Sequence, residues 1–292
     1  MQNVSRSKAD ALRPIGVFDS GVGGLTVLKS LLAALPEERF LYLGDTAKVP
    51  YGNKSRETVT KLAFENLLFL LERQVKAVVV ACNTVSASCL DLLVDAFRIP
   101  VFGVIEPAVE AAVQTTRNGC IGVIGTRGTI QSGAYQSALK ARDPALKVLS
   151  RDCPLLVPLA EEGYADHQAT QLILQDYLGD FISTGVDSLI LGCTHYPVLL
   201  RSIQAVVGPG VTLVESGPMT ARRVFESLKE SHALTPAPGS TLSDSPHDNG
   251  SEIEIPPQVR YFVTDDQPRF SRVAAEFLQR EIGRVEVVRV VS

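Results

Sequence analysis

A chain of 292 residues is long enough to bury two separate cores. Its composition is 45% hydrophobic and 21% charged, and 28 basic against 32 acidic side chains leave a net charge of −4, without the basic footprint of a nucleic-acid-binding chain. No apolar run approaches the roughly 20 residues that span a bilayer, and the first thirteen residues, polar and basic, lack the apolar centre of a secretory signal.

Residues 1–13 are therefore expected to be a disordered leader on a cytoplasmic protein. Short β-branched runs at 15–18, 40–43, 77–80 and 101–104 are predicted as buried parallel strands. Helical spacing fills 25–35, 58–72 and 84–97 between them. The rhythm returns with strands at 120–124, 188–191 and 211–214 and helices at 168–182 and 219–228. Residues 232–257, rich in Pro, Ser, Gly and Asp, have no periodicity and are expected to be a solvated flexible insertion. A strand at 259–264, a helix at 268–280 and a final strand at 285–291 follow. Such alternation predicts an α/β fold, with helices covering mostly parallel sheets.

Small or polar residues follow each strand: Asp19-Ser20-Gly21, Gly44-Asp45-Thr46, Cys82-Asn83-Thr84, Gly125-Thr126 and Gly192-Cys193-Thr194-His195. Open α/β sheets bind ligands at the carboxyl ends of their strands. Five cysteines, at 82, 89, 120, 153 and 193, include no Cys-x-x-Cys pair, and an odd number in a reducing compartment implies free thiols. Cys89, Cys120 and Cys153 read as structural. Cys82 and Cys193 each stand one residue or so beyond a buried strand, in two halves that look loosely duplicated.

A cysteine at a strand-to-helix junction lies near a helix N-terminus, where dipole and free N–H groups favour the thiolate. Two such thiols across a cleft suit racemisation by two bases, one removing the Cα proton and the other returning one to the opposite face. Asp19, His195 and Glu161 are candidates for assisting them; Ser20, Asn83, Thr84, Thr126 and Thr194 are suitable for holding substrate carboxylates. The Gly21-Val-Gly-Gly24 turn also has a phosphate-cradle reading, against which Asp19 stands as a repelling charge.

Together, Gly16-Val-Phe-Asp-Ser-Gly-Val-Gly-Gly-Leu25, Tyr42-Leu-Gly-Asp45, Val49-Pro-Tyr-Gly52, Ala81-Cys-Asn-Thr84, Ile121-Gly-Val-Ile-Gly-Thr126 and Gly192-Cys-Thr-His-Tyr-Pro197 resemble the glutamate racemases. The resemblance implies two similar α/β domains with the active site in the cleft between them. The first would comprise 14–105 plus 217–292 and the second 106–216. It implies that Cys82 and Cys193 are the paired acid and base, with Asp19, Glu161 and His195 assisting. It implies that Asp19, Ser20, Tyr51, Gly52, Asn83, Thr84, Thr126, Thr194 and His195 bind or orient glutamate. It further implies no pyridoxal phosphate and no metal, a homodimer, and D-glutamate supplied to peptidoglycan. Some relatives respond to UDP-N-acetylmuramoyl-L-alanine, which makes that precursor a possible activator. Glu162 beside Glu161 leaves open which carboxylate faces the site. A racemase of aspartate or another amino acid, and a non-catalytic binding protein of the same fold, are the alternatives.

Overall fold

The computed structural model describes residues 8–236 and 258–290. Two parallel sheets carry the molecule. The larger is built from β1 (Ile15–Asp19), β2 (Phe40–Gly44), β3 (Ala77–Val80), β4 (Val101–Phe102), β9 (Val259–Val263) and β10 (Val285–Val287), in the order β10-β9-β2-β1-β3-β4. The smaller uses β5 (Cys120–Gly125), β6 (Lys147–Asp152), β7 (Ser188–Gly192) and β8 (Thr212–Glu215), in the order β6-β5-β7-β8. Strands β1, β2, β3, β5 and β7 are buried along their whole length. That burial on both faces is why their sequences run continuously apolar instead of alternating.

In each sheet the strand order reverses beside the first strand. Chain order places β2 on one side of β1 and β3 on the other; β6 and β7 flank β5 in the same way. A crevice opens at such a switch point, at the carboxyl ends of the strands. Register then sets the level of the strand ends: Phe18 pairs with Val80 in one sheet, Gly125 with Gly192 in the other.

The helices anchor on apolar stripes. In α2 (Leu25–Ala34), Leu25, Val27, Leu28 and Leu31 are buried, and the helix packs against α11 (Ser216–Glu230), which itself rests on α5 (Ile105–Thr115). Ser55 caps α3 (Arg56–Leu71) by accepting from Thr58 N. Helix α4 (Asn83–Ala96) starts directly after Cys82 and is kinked at Cys89. Among the described residues, no helix is long and apolar enough to cross a membrane.

Several elements differ from the sequence expectation. Strand β6 was not expected: it is an edge strand of polar composition, half-buried at most positions. Helices α5, α7 (Ala134–Arg142), α8 (Leu156–Glu161) and α10 (Leu200–Val207) also went unread. Strands β4 and β10 are shorter than expected, two and three residues.

The leader expected to be disordered through residue 13 is helical at α1 (Lys8–Ala11), and Ala11 is buried. The expected insertion is likewise structured at its start, with Ala233 buried. One buried cation holds both segments. Lys76 pairs with Glu38 at 2.6 Å and donates to the carbonyls of Ala11 and Ala233 at 2.6 and 2.9 Å. Thr235 donates twice to the same Glu38 carboxylate, at 2.8 Å each. A buried ammonium must find acceptors, and these loops supply them. The rest of the expected leader and insertion, 1–7 and 237–257, lies outside the described residues.

Candidate active site

The loop after β1 is shaped by close approach. A Cβ on Gly23 would stand 2.4 Å from Thr194 Oγ1 and 2.5 Å from His195 Cε1; one on Gly24 would stand 2.5 Å from Asp19 Cβ. Tyr42 donates its hydroxyl proton to Gly21 O at 2.9 Å. Thr26 Oγ1, in the first turn of α2, donates to Thr194 O at 2.8 Å, tying that helix start to the segment after β7 in the other lobe. Gly23 is thus accounted for by packing between the two lobes, and Gly24 by packing on Asp19 and Ala81 within its own.

Cys82 follows β3 and occupies the N-cap position of α4. Its Sγ lies 3.6 Å from Ser20 Oγ. Burial, and then the charge of Asp19, push this thiol up to about 12. Asp19 is wholly buried; its Oδ2 accepts from Gly21 N at 2.9 Å and its Oδ1 has no partner among the described residues. Burial raises the Asp19 carboxyl above its ordinary value, against the opposing influence of His195. Asp19 stands behind the cavity wall and does not line it.

Cys193 follows β7, and its Sγ lies 3.6 Å from His195 Nδ1. The other ring nitrogen, Nε2, meets Glu161 Oε1 at 2.9 Å. Burial works against a charged imidazole, but the hydrogen bonds to Cys193 and Glu161 outweigh it and raise His195 to about 10. Burial also works against the Glu161 carboxylate, yet the His195 hydrogen bond and charge, with Arg269, hold it below its ordinary value. The raised imidazole stands beside the Cys193 sulfur, placed to neutralise negative charge that forms there. Arg269, on α12 (Gln267–Leu278), reaches across with Nη2 3.0 Å from Glu161 Oε2 and 3.0 Å from Glu162 Oε1. Of the two glutamates, Glu161 faces the site and Glu162 is exposed.

Both cysteines line one cavity of about 60 Å³. Ser20, Tyr51, Gly52, Asn83, Thr84, Thr126, Thr194, His195 and Glu161 line it too, so every residue singled out from the sequence except Asp19 reaches the wall. Tyr51 does not bring its hydroxyl to the cavity. Its hydroxyl donates to Asp45 Oδ2 at 2.5 Å and accepts from Asn66 Nδ2 at 3.1 Å, both away from the cavity lining. Thr84 Oγ1 and Thr126 Oγ1 are 2.9 Å apart. Thr129, 3.3 and 3.0 Å from them, completes a hydroxyl triangle across the two lobes. Asn83 Oδ1 accepts from Tyr135 at 2.6 Å, while its buried Nδ2 has no partner among the described residues.

Sequence reasoning missed Thr129, Tyr135 and Arg269. Thr129 repeats the Thr126 signal one helical turn later. Tyr135 and Arg269 carry no local signal, because their partners lie 52 and 108 residues away. Chemically, the cavity offers one thiol from each lobe, an imidazole–carboxylate pair behind one and a buried carboxyl behind the other. The unpartnered Asn83 Nδ2 belongs to a residue of the cavity lining. That is the equipment for taking a proton from one side of a small anionic molecule and returning one from the other.

The Asp/Glu/Hydantoin racemase family matches residues 15–224 of this chain. Over 273 residues the chain is 48% identical to glutamate racemase from Geobacter metallireducens, an alignment covering 94% of this chain and 95% of that relative. Glutamate racemase from Francisella tularensis in complex with D-glutamate is similar with a TM-score of 0.85 at 36% identity, covering 96% of this chain and 98% of that one. Escherichia coli glutamate racemase in complex with L-glutamate and the activator UDP-MurNAc-ala is similar with a TM-score of 0.74 at 27% identity, covering 96% and 100%.

Proposed function

The chain belongs to the Asp/Glu/Hydantoin racemase family, and on that footing we propose that it interconverts L-glutamate and D-glutamate by moving the Cα proton between Cys82 and Cys193. One observation carries this: two cysteines from different sheets line one cavity, each with its own ionisable neighbour behind it. The solved relatives' complexes with D- and L-glutamate support the choice of substrate.

Inversion at carbon needs a base on one face and an acid on the other. The thiolate of one cysteine takes the Cα proton, leaving a carbanion whose charge spreads into the α-carboxylate. The opposite thiol gives its proton to the other face and becomes the thiolate. Atoms and protons balance, and the enzyme ends with its two sulfurs in exchanged states, ready for the reverse direction. The Cα proton is so weakly acidic that base matching supplies only part of the acceleration. The remainder comes from donors aimed at the developing charge and from exclusion of water. The Thr84–Thr126–Thr129 hydroxyls are the donors suited to that work, while Asn83 Nδ2 holds a substrate carboxylate in ground and transition state alike. His195, held by Glu161, serves as counter-ion and proton partner to Cys193. Ser20 and the Asp19 carboxyl attend Cys82.

The two sheets support a first domain of 14–105 plus 217–292 and a second of 106–216, closing on the cleft. In the cell we place the enzyme in the cytoplasm as a homodimer whose D-glutamate enters peptidoglycan; light scattering of the purified protein tests the assembly. The activity is tested by optical rotation with L-glutamate and, separately, D-glutamate, without added cofactor. Decay to zero from both sides is expected. Because the E. coli relative was solved with an activator, the assay is repeated with UDP-N-acetylmuramoyl-L-alanine. Constant rotation in both experiments, with turnover of aspartate, would refute glutamate as the substrate.

A further inference from the structure

Tyr135 belongs to neither cysteine's immediate surroundings, yet it touches the flanks of both. It is the second residue of α7, in the lobe of the smaller sheet, and only 2% exposed. Its hydroxyl meets Asn83 Oδ1 at 2.6 Å. Asn83 comes directly after Cys82 and opens α4 in the other lobe. The Tyr135 ring also lies against Gly192, the residue before Cys193: a Cβ there would stand 3.1 Å from Tyr135 Cε2.

A phenol has one proton to give. Burial, and then the charge of Cys193, raise this phenol far above its ordinary range, so it stays neutral. Among the described residues its acceptor is Asn83 Oδ1. With the amide in this orientation, both N–H donors of Nδ2 are left free, buried and on a residue that lines the cavity. Turned over, the amide would present its carbonyl to an anionic substrate and leave the phenol proton without an acceptor. An unmade buried hydrogen bond of that kind is costly, so the phenol selects between the two amide orientations.

We propose that Tyr135 is a positioning residue, which locks the Asn83 amide with its donors toward a carboxylate of the bound amino acid. It acts across the lobe boundary, so this donor is set only when the two lobes are together. The identity of the ligand as glutamate rests on the proposed racemase activity; the orientation of the amide does not.

The variant Tyr135→Phe keeps the ring that packs on Gly192 and removes only the hydroxyl. Loss of one hydrogen bond to a charged ligand predicts a rise in KM of about tenfold for both enantiomers, with kcat within about twofold of wild type. In an Asn83→Ala background, Tyr135→Phe should add nothing, because coupled residues are non-additive. A merely structural loss would lower the active fraction, hence kcat, and would persist in that background. A substrate-free readout completes the test: the Asn83 side-chain amide signals in a 15N–1H spectrum, identified by their absence in Asn83→Ala, should move on Tyr135→Phe. Unchanged KM, an equal effect in the Asn83→Ala background, or unmoved amide signals would each overturn the proposal. If wild-type protein leaves glutamate untouched but the amide signals move, the substrate reading fails and the role of Tyr135 stands.

Discussion

Replacing Gly23 by alanine adds a single methyl group where the two lobes meet. Its backbone needs no left-handed conformation, so the cost is steric alone. The added Cβ would stand 2.4 Å from Thr194 Oγ1 and 2.5 and 2.6 Å from His195 Cε1 and Nδ1. Restoring ordinary van der Waals separation requires the imidazole, the hydroxyl or the loop to move by about 1 Å, and neither neighbour has room, since both are buried. Overpacking of this kind costs about 1–3 kcal/mol of stability. Activity should suffer more. The Cys193–His195 contact is already 3.6 Å and the His195–Glu161 bond is 2.9 Å, so one displacement disturbs both. A misplacement of ~1 Å in a catalytic group can cost ~100-fold, and we expect a loss of that order in kcat/KM. Racemisation followed by circular dichroism in both directions, beside thermal unfolding, measures the two effects separately. Turnover within twofold of wild type in both directions would refute the packing argument and the role given to His195.

Other outcomes are expected from the same geometry. Cys82→Ala and Cys193→Ala should each abolish net racemisation, while each retains exchange of the Cα proton with D2O for one enantiomer only; turnover of both by either variant would sink the two-base mechanism. Arg269→Gln removes a half-exposed guanidinium that steadies Glu161. Such pairs are worth about 0.2–1 kcal/mol, so a loss in kcat of no more than about fivefold is expected, larger in the direction in which Cys193 is the base while kcat/KM stays equal in the two directions, and mimicked in wild type by high salt. Equal losses of kcat in both directions, insensitive to salt, would contradict that assignment. Gly179, inside α9 (Gln168–Ser183), has open space at its Cβ position; Gly179→Ala should raise stability by roughly 0.5–1 kcal/mol at unchanged activity, as read by urea unfolding. His195 titrates higher in the folded protein than its ordinary 6.5, at about 10. Its contribution to stability is therefore complete below about pH 6.5 and lost as pH rises toward 10. Denaturation midpoints across that window should fall more steeply for wild type than for His195→Asn; parallel curves would deny the raised value.

How much of the fold and the site was legible in the chain depends on how far apart the interacting residues lie. The buried strands were readable because burial on both faces leaves an unbroken apolar run, as in 15–18 and 77–80. Cys82, Cys193 and Thr126 were readable because each stands where such a run stops, and parallel sheets expose ligands there. Strand β6 was not, because its edge position tolerates Lys147, Ser150, Arg151 and Asp152, which break the apolar pattern. The leader and the start of the insertion looked solvated by composition, yet Lys76, buried beneath them, draws in the carbonyls of Ala11 and Ala233.

The strand ends, then, are a property of the sequence by itself: each local apolar run, and the small or polar residues just beyond it, set which side chains emerge at the edge of a sheet. Their meeting is a tertiary fact. Only the folded chain brings Thr84 to Thr126, Asn83 to Tyr135, Gly23 to Thr194 and Arg269 to Glu161. Only there does Asp19 withdraw behind the wall and Tyr51 turn its hydroxyl to Asp45. The physical reason is range. Periodicity records which face of an element is buried against its own sheet, whereas contacts between lobes join single side chains far apart in the chain and leave no repeating pattern to read.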